Sequence, residues 1–242
     1  TPLQDVRVRK ALDKAINRDQ INKSFFAGKG ELMIMPHHHP TRMGWNPDWE
    51  KQFNEEYGYD PDKARALLAE AGYGPGKPLT TSMLLQPLPQ YAGAEDVQEA
   101  IAGYWRAVGV NVESLQRDPG EIAQRSRQQQ YDNHVTVTGT SSAQLIAMVY
   151  TSTTAGRNPG ASAVQDAKVE GLVRQLYSAV DVSKQEQLWR ELGDYLFPYH
   201  GQVSLFWLPA QAVINTRIVS DYVFPGAITG TWTHVEGIKA AP

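Results

Sequence analysis

Met33-Ile34-Met35-Pro36-His37-His38-His39-Pro40 sets three imidazoles side by side. Neutral imidazole is a common metal ligand, so a divalent metal is the first chemistry this run suggests. In an extended segment His37 and His39 share one face and His38 takes the other, so at most two converge without a bend. A metal site also needs further ligands and a supporting shell. The competing reading is a loop cluster packed among Pro and Trp, lining a cleft by hydrogen bonding. Trp45 and Trp49, in Gly44-Trp45-Asn46-Pro47-Asp48-Trp49, could stack on a ligand ring or anchor the segment that carries them. Ser141 or Ser142, in Thr138-Gly139-Thr140-Ser141-Ser142, can cap a following helix over 143–150. Arg157 could clamp a carboxylate or sit solvated in its loop. Catalytic signatures are absent: there is no GxSxG elbow, GxGxxG, phosphate loop or HExxH. Gly74-Pro75-Gly76-Lys77 lacks Walker spacing, and Asp132 with His134 is only a two-residue pair on one strand face. The sequence reads as a non-enzyme with no cofactor.

Those residues must be positioned by a stretch running from Leu79 to Val137. Leu79 to Leu85 is apolar and β-prone between Pro78 and Pro87. Val97, Ile101, Tyr104, Trp105 and Val108 make a helical stripe, and Gly109 stands where a left-handed cap is wanted. Val110, Val112 and Leu115 alternate as in a strand. Asp118-Pro119 opens a short helix to about Arg127, and Val135 and Val137 close a third strand. Strand-helix-strand-helix-strand predicts an α/β fold with a mostly parallel sheet covered by helices. Ligands of such sheets sit beyond the carboxyl ends of the strands. That points to Gln86 to Tyr91, Gln116 to Asp118 and Gly139 to Ser142.

Around this core the pattern predicts a helix from Asp5 through Ile16 and a second ending near Gly28. An irregular arm follows over 30–59, too long for a plain connector. Asp60-Pro61-Asp62 restarts a helix that stops at Gly72. Later stripes run over Val169 to Tyr177 and Leu188 to Phe197. Val203 to Leu208 and Ala210 to Asn215 read as strands around Pro209, and residues 216–242 have no helical period. The chain has 242 residues, enough for a real core. A net charge of −3 gives no electrostatic case for nucleic acid. With no cysteine there are no disulfides or thiolate sites. No apolar run approaches a membrane span. Thr1 reads as a cut end, so a piece of something larger is expected.

Four stretches resemble the carboxyl-terminal lobe of the family 5 solute-binding proteins of ABC importers, the oligopeptide-, dipeptide- and nickel-binding receptors. Asp5-Val6-Arg7-Val8-Arg9-Lys10-Ala11-Leu12 through Asp19 is similar to the family's DVRVRQALSYAIDRE helix. Tyr59-Asp60-Pro61-Asp62-Lys63-Ala64-Arg65-Ala66-Leu67-Leu68-Ala69-Glu70-Ala71-Gly72-Tyr73 resembles YDPEKAKALLAEAGY. Trp105 to Val112 is similar to LKKIGINVEI. Trp189-Arg190-Glu191-Leu192 through Val203-Ser204-Leu205-Phe206 resembles YQEAQKILAEDAPIIPLY.

The resemblance implies a periplasmic-binding-protein-like lobe over residues 1–215. It implies a tail over 216–242 that crosses a hinge toward a missing amino-terminal lobe. Val223, Phe224, Ile228 and Trp232 would then lack their partner unless the tail drapes over this lobe or engages another chain. Members close two lobes on a small solute, such as a peptide or sugar, and deliver it to a membrane permease. A periplasmic or extracellular location follows, with lipoprotein anchoring through the absent amino terminus as one form of it. Peptide-binding members carry Trp and then Asp in a GWxADYPDP pattern after the third strand, where the Asp pairs with the peptide ammonium. Here Thr138-Gly139-Thr140-Ser141-Ser142-Ala143-Gln144 stands instead. A row of small hydroxyls fits a neutral, hydrogen-bonding solute or a roomier pocket. The expected ligand contacts are Met35, His37, His38, Trp45, Gln86, Thr138, Thr140 and Ser141, with no metal, and His37 with His39 as the weaker metal alternative. A stand-alone metal-responsive or protein-interaction domain reusing this lobe is the alternative function.

Overall fold

In the computed structural model of the chain, Asp5 opens α1 (Val6–Lys14) by accepting the Arg7 amide at 2.9 Å. The structure describes residues 1–36, 38–85, 87–88, 91, 93–128, 133–136, 166–209, 214–222 and 237–242. Asn17 caps α2 (Arg18–Phe26) through the Gln20 amide, and Ala27 ends it in the left-handed region at φ 52°. After the two-residue strand β1 (Glu31–Leu32) comes α3 (Asp48–Tyr57). Asp60 then caps α4 (Pro61–Glu70) through the Lys63 amide at 2.8 Å.

The predicted central unit is present. β2 (Thr80–Leu85), α5 (Ala94–Ala107), β3 (Asn111–Gln116), α6 (Pro119–Arg127) and β4 (His134–Thr136) follow one another. Gly109 takes φ 92° after α5, the left-handed conformation that a side chain resists. Both neighbours of β2 are parallel to it, in the order β3-β2-β4. The first strand in sequence is thus central, and the second crossover carries the chain past it to the opposite edge. The arrangement is α/β with a parallel core under helices, as the periodicity predicted.

The remaining elements are α7 (Ala167–Ser178), α8 (Val182–Leu196), β5 (Phe206–Trp207), β6 (Val219–Tyr222) and β7 (Ile238–Ala240). Asp166 and Asp181 cap the two helices. A 3-10 turn over Phe197–Tyr199 follows α8, where Pro198 ends the α-helical pattern. β5 pairs antiparallel with β1, Glu31 opposite Trp207.

Two expectations need correction. Residues 30–59 are not wholly irregular, because α3 occupies their second half. Trp49, Phe53 and Tyr57 recur every fourth residue and are all buried. That stripe was visible, but the Pro, Gly and His around it masked the period. The strand over 203–208 shrinks to Phe206–Trp207, and 210–213 lie outside the described residues. In the tail, where no helical period was expected, β6 and β7 pair with each other, Tyr222 opposite Ile238. Val223, Phe224, Ile228 and Trp232 lie outside the described residues, as does the expected helix over 143–150.

The main core gathers the inner faces of α1, α2, α4 and α5 against β2 and β3. Trp105 of α5 is buried there and donates its indole N–H to the Leu12 carbonyl at 2.8 Å, tying α5 to α1. A second cluster holds α7 to α8. A third collects Met35, Trp49, Phe53, Tyr57 and Phe197.

Candidate functional site

The carboxyl ends of the parallel strands are held by short-range contacts. The Arg117 amide donates to the Leu85 carbonyl at 3.0 Å, which prolongs the β2–β3 ladder by one bond. Gln116 donates its side-chain amide to Glu95 at 2.5 Å, fastening the end of β3 to the start of α5. Asp118 accepts the Gly120 amide at 2.8 Å and so opens α6. Tyr91 packs its ring 5.0 Å from Phe26. β2 and β4 lie side by side at this end, Leu84 opposite Thr136. The sequence continues from these ends into Gln86 and into 137–142. Gln86, Thr138, Thr140 and Ser141 all lie outside the described residues, and so does His37.

Met35 and His38 are placed differently from the expectation. Each is only 3% exposed. His38 stands edge-on to Trp49 and Trp189, with centroids 5.0 and 5.3 Å away. Its Nδ1 lies 3.0 Å from the Pro36 carbonyl and its Nε2 3.3 Å from the Trp189 carbonyl. An open cleft reaches neither side chain as they stand. Burial holds the His38 pKa below the ordinary 6.5, against the two carbonyls, which favour the cation. A neutral ring has one N–H, and the shorter contact assigns it to Nδ1.

The sign of the pH effect follows. With the folded pKa depressed, the unfolded chain binds the extra proton first. Stability from His38 is complete above pH 6.5 and falls as pH drops from there toward the folded pKa. Chemical denaturation at a series of pH values should show this slope in the wild type and a flatter one in His38→Gln. Equal slopes would refute it.

His39 turns elsewhere. Its Nδ1 meets the Thr41 hydroxyl at 2.8 Å, its Nε2 is 3.3 Å from Glu31, and its ring is edge-on to Trp207. His38 and His39 thus do not converge. Among the described residues no group of three His, Cys, Asp or Glu is placed to hold a metal ion. Trp49 donates its indole N–H to Asp194 at 2.9 Å, which makes it an anchor of the arm. Trp45 is half-buried with its ring edge-on to Trp49 at 5.3 Å, and it keeps a partly open face.

Sequence reasoning missed a buried charged cluster. Asp13 is fully buried and pairs with Arg18 and with His200 Nδ1 at 3.1 Å. His200 Nε2 faces Glu56 at 3.4 Å, and Glu56 also takes Lys10 at 2.5 Å. Arg18 further donates to the Ser204 carbonyl at 2.8 Å and the Tyr57 carbonyl at 3.0 Å. The cluster joins α1, α2, α3 and the segment after α8. Burial raises the Tyr57 phenol well above its ordinary range, so it stays protonated and donates to the Phe197 carbonyl. Asp13 and Arg18, five apart across a helix break, were the local signal. His200 lies 187 residues from Asp13, and nothing in the sequence announces that pairing.

A family model described as Bacterial extracellular solute-binding proteins, family 5 Middle, matches residues 1–160. No curated protein matches by sequence. Solved structures share the fold. HbpA2 from Haemophilus parasuis is 22% identical with a TM-score of 0.71, over 84% of this chain and 39% of its own. The oligopeptide-binding protein AppA from Bacillus subtilis, in complex with a nonapeptide, is 17% identical with a TM-score of 0.67, over 84% and 42%. NikA from Brucella suis, in complex with Fe(III)-EDTA, is 19% identical with a TM-score of 0.68, over 98% and 48%. The chain thus spans less than half the length of each of these structures. No helix among the described residues is long and apolar enough to cross a membrane. With a family match over well more than half of its length and this parallel strand-helix unit inside the match, the chain belongs to the bacterial extracellular solute-binding proteins of family 5.

Proposed function

We propose that this chain is one lobe of a two-lobed solute receptor that serves an ABC permease outside the cytoplasmic membrane. Residues 1–215 form the lobe, and 216–242 belong with a second lobe that completes the receptor. The observation that carries this is the parallel order β3-β2-β4 inside the family match, with β2 and β4 ending side by side. Sites in such sheets form where strand ends open into loops. Gln86, Thr138, Thr140 and Ser141 are the sequence neighbours of those ends and supply the amide and hydroxyls of the contact set. Trp45 offers a partly open ring for stacking. Met35 and His38 support the arm from beneath it.

The solute is a small polar molecule bound chiefly by hydrogen bonds. The absence of an acid over 138–144 argues against anchoring a peptide by its ammonium. Relatives hold ligands as unlike as a nonapeptide and Fe(III)-EDTA, so the fold leaves the solute open. A single lobe supplies part of the contact area and is expected to bind weakly.

The test is thermal unfolding of the product of the whole open reading frame with panels of neutral oligosaccharides, amides and peptides. One class should raise the midpoint by several degrees at saturation, as tight binding to the folded state requires. Thr140→Ala with Ser141→Ala should remove most of that rise. Unchanged midpoints across all panels, or a rise indifferent to both substitutions and to Gln86→Ala, would remove this assignment.

A further inference from the structure

A hollow of about 580 Å³ lies where α1, α3 and α4 meet, apart from the strand ends. Tyr59 on its wall stands edge-on to Tyr104 in the last turns of α5. That helix runs down to the start of β3, so the hollow lies toward the amino ends of the parallel strands. The solute reading makes no use of it.

Lys10, Lys14 and Lys63 line the hollow together with Asn54 and Tyr59. Lys14 is the decisive residue. It is the last residue of α1 and is only 5% exposed. Among the described residues its ammonium has no hydrogen bond and no carboxylate within 4.0 Å. The stem of Lys14 is buried, while its ammonium is not among the fully buried unpartnered polar atoms, so it meets the water of the hollow it lines. The nearest acids are engaged elsewhere. Glu56 holds Lys10 and His200, and Asp13 holds Arg18 and His200. Asp60 accepts the Lys63 amide to cap α4. Glu55 and Asp60 also line the hollow, so its wall carries both signs, three lysines against two acids. Burial, and after it the neighbouring Lys10, hold the Lys14 pKa below its ordinary 10.5, against Asp60, Glu56 and Asp13, which favour the cation from beyond ion-pair distance.

We propose that this hollow is an anion subsite in which Lys14, supported by Lys63 and Tyr59, takes the oxygens of a carboxylate or phosphate group on a small molecule. The bound oxygens supply the partner that the fold withholds from Lys14. The ammonium offers three donors, and the phenol of Tyr59 and the amide of Asn54 can complete the shell. The hollow is independent of the strand-end contacts, so occupancy here and solute binding there can fail separately.

The experiment is thermal unfolding of the 242-residue chain in sodium phosphate, sodium acetate and sodium chloride at matched ionic strength. Phosphate also strengthens apolar burial in general, so the variant carries the decision. Lys14→Met keeps the buried stem and removes the charge. In chloride it should unfold at or above the wild-type midpoint, because burial disfavours the ammonium that has been removed. The wild-type midpoint should rise saturably with one oxyanion. Lys14→Met should weaken that apparent affinity about tenfold or more, the effect of losing a charged hydrogen bond. Lys63→Gln should weaken it less. A saturable rise with acetate alone marks a carboxylate ligand, and a rise with phosphate alone marks a phosphate. Midpoints that do not distinguish oxyanion from chloride, or a rise that Lys14→Met retains in full, overturn the proposal.

Discussion

Asp13→Ala is expected to lower the unfolding free energy by about 3–5 kcal/mol, the range for breaking a buried ion pair from one side. Asp13 is fully buried, and Arg18, its partner, is 6% exposed. Removing the carboxylate leaves a guanidinium in the interior with three backbone carbonyls, those of residues 13, 57 and 204, and no carboxylate paired to it. It also strips His200 Nδ1 of its acceptor. Coulomb attraction in this interior does not set the size of the effect. The larger part is desolvation of the charge left behind, which folding no longer offsets. Urea unfolding should therefore show a lower midpoint with an unchanged slope. Asp13→Ala combined with Arg18→Met removes both charges and should recover a substantial share of the loss. If the double variant is as unstable as the sum of the two singles, the pairing energy assigned here is wrong.

Trp49→Ala should cost about 3–5 kcal/mol, the usual loss when a large buried aromatic is truncated. Trp49 is 2% exposed and sits at the centre of the third core cluster. Its ring stands near-parallel to Phe197 at 6.2 Å and edge-on to Trp45 and His38. The space it fills is prepared on α8 by Gly193, where a Cβ would fall 2.4 Å from the indole. Truncation therefore opens a void on both helices at once. It also leaves Asp194 without the indole N–H, though Asn46 still donates to it at 2.7 Å. Trp49→Phe should lose clearly less, since it keeps the ring and gives up only the hydrogen bond and part of the volume. Equal losses for Ala and Phe would show that the hydrogen bond, not the packing, holds the arm.

Both predictions also involve contacts between segments far apart in sequence, Asp13 with His200 and Trp49 with Asp194 and Phe197. Gly44 teaches the same lesson. It takes φ 78°, and a Cβ there would lie 2.5 Å from the Cβ of Trp189. Within Gly44-Trp45-Asn46-Pro47 it reads as an ordinary loop glycine. Its need for a bare backbone arises from α8, which arrives more than a hundred residues later.

The sequence by itself determined the unit from β2 to β4. There α5 carries its own apolar stripe, and Gly109 and Asp118 stop and start helices through their own backbone and side chains. Such signals are complete within a few residues, so they can be read without a partner. The two helical motifs at α1 and α4 likewise carried the family resemblance, later matched over residues 1–160. Tertiary structure alone decided the rest. His38 is equally able to bind a metal or fill a core until Trp49 and Trp189 close over it. His200 is an unremarked loop residue until the fold sets it between Asp13 and Glu56. Lys14 is an ordinary helix lysine until Asp60 donates its amide to the Lys14 carbonyl and the chain folds down beside it. A side chain's chemistry depends on its solvation and its partners. Here most of those are supplied by residues more than forty and up to nearly two hundred positions away, and local periodicity holds no record of them.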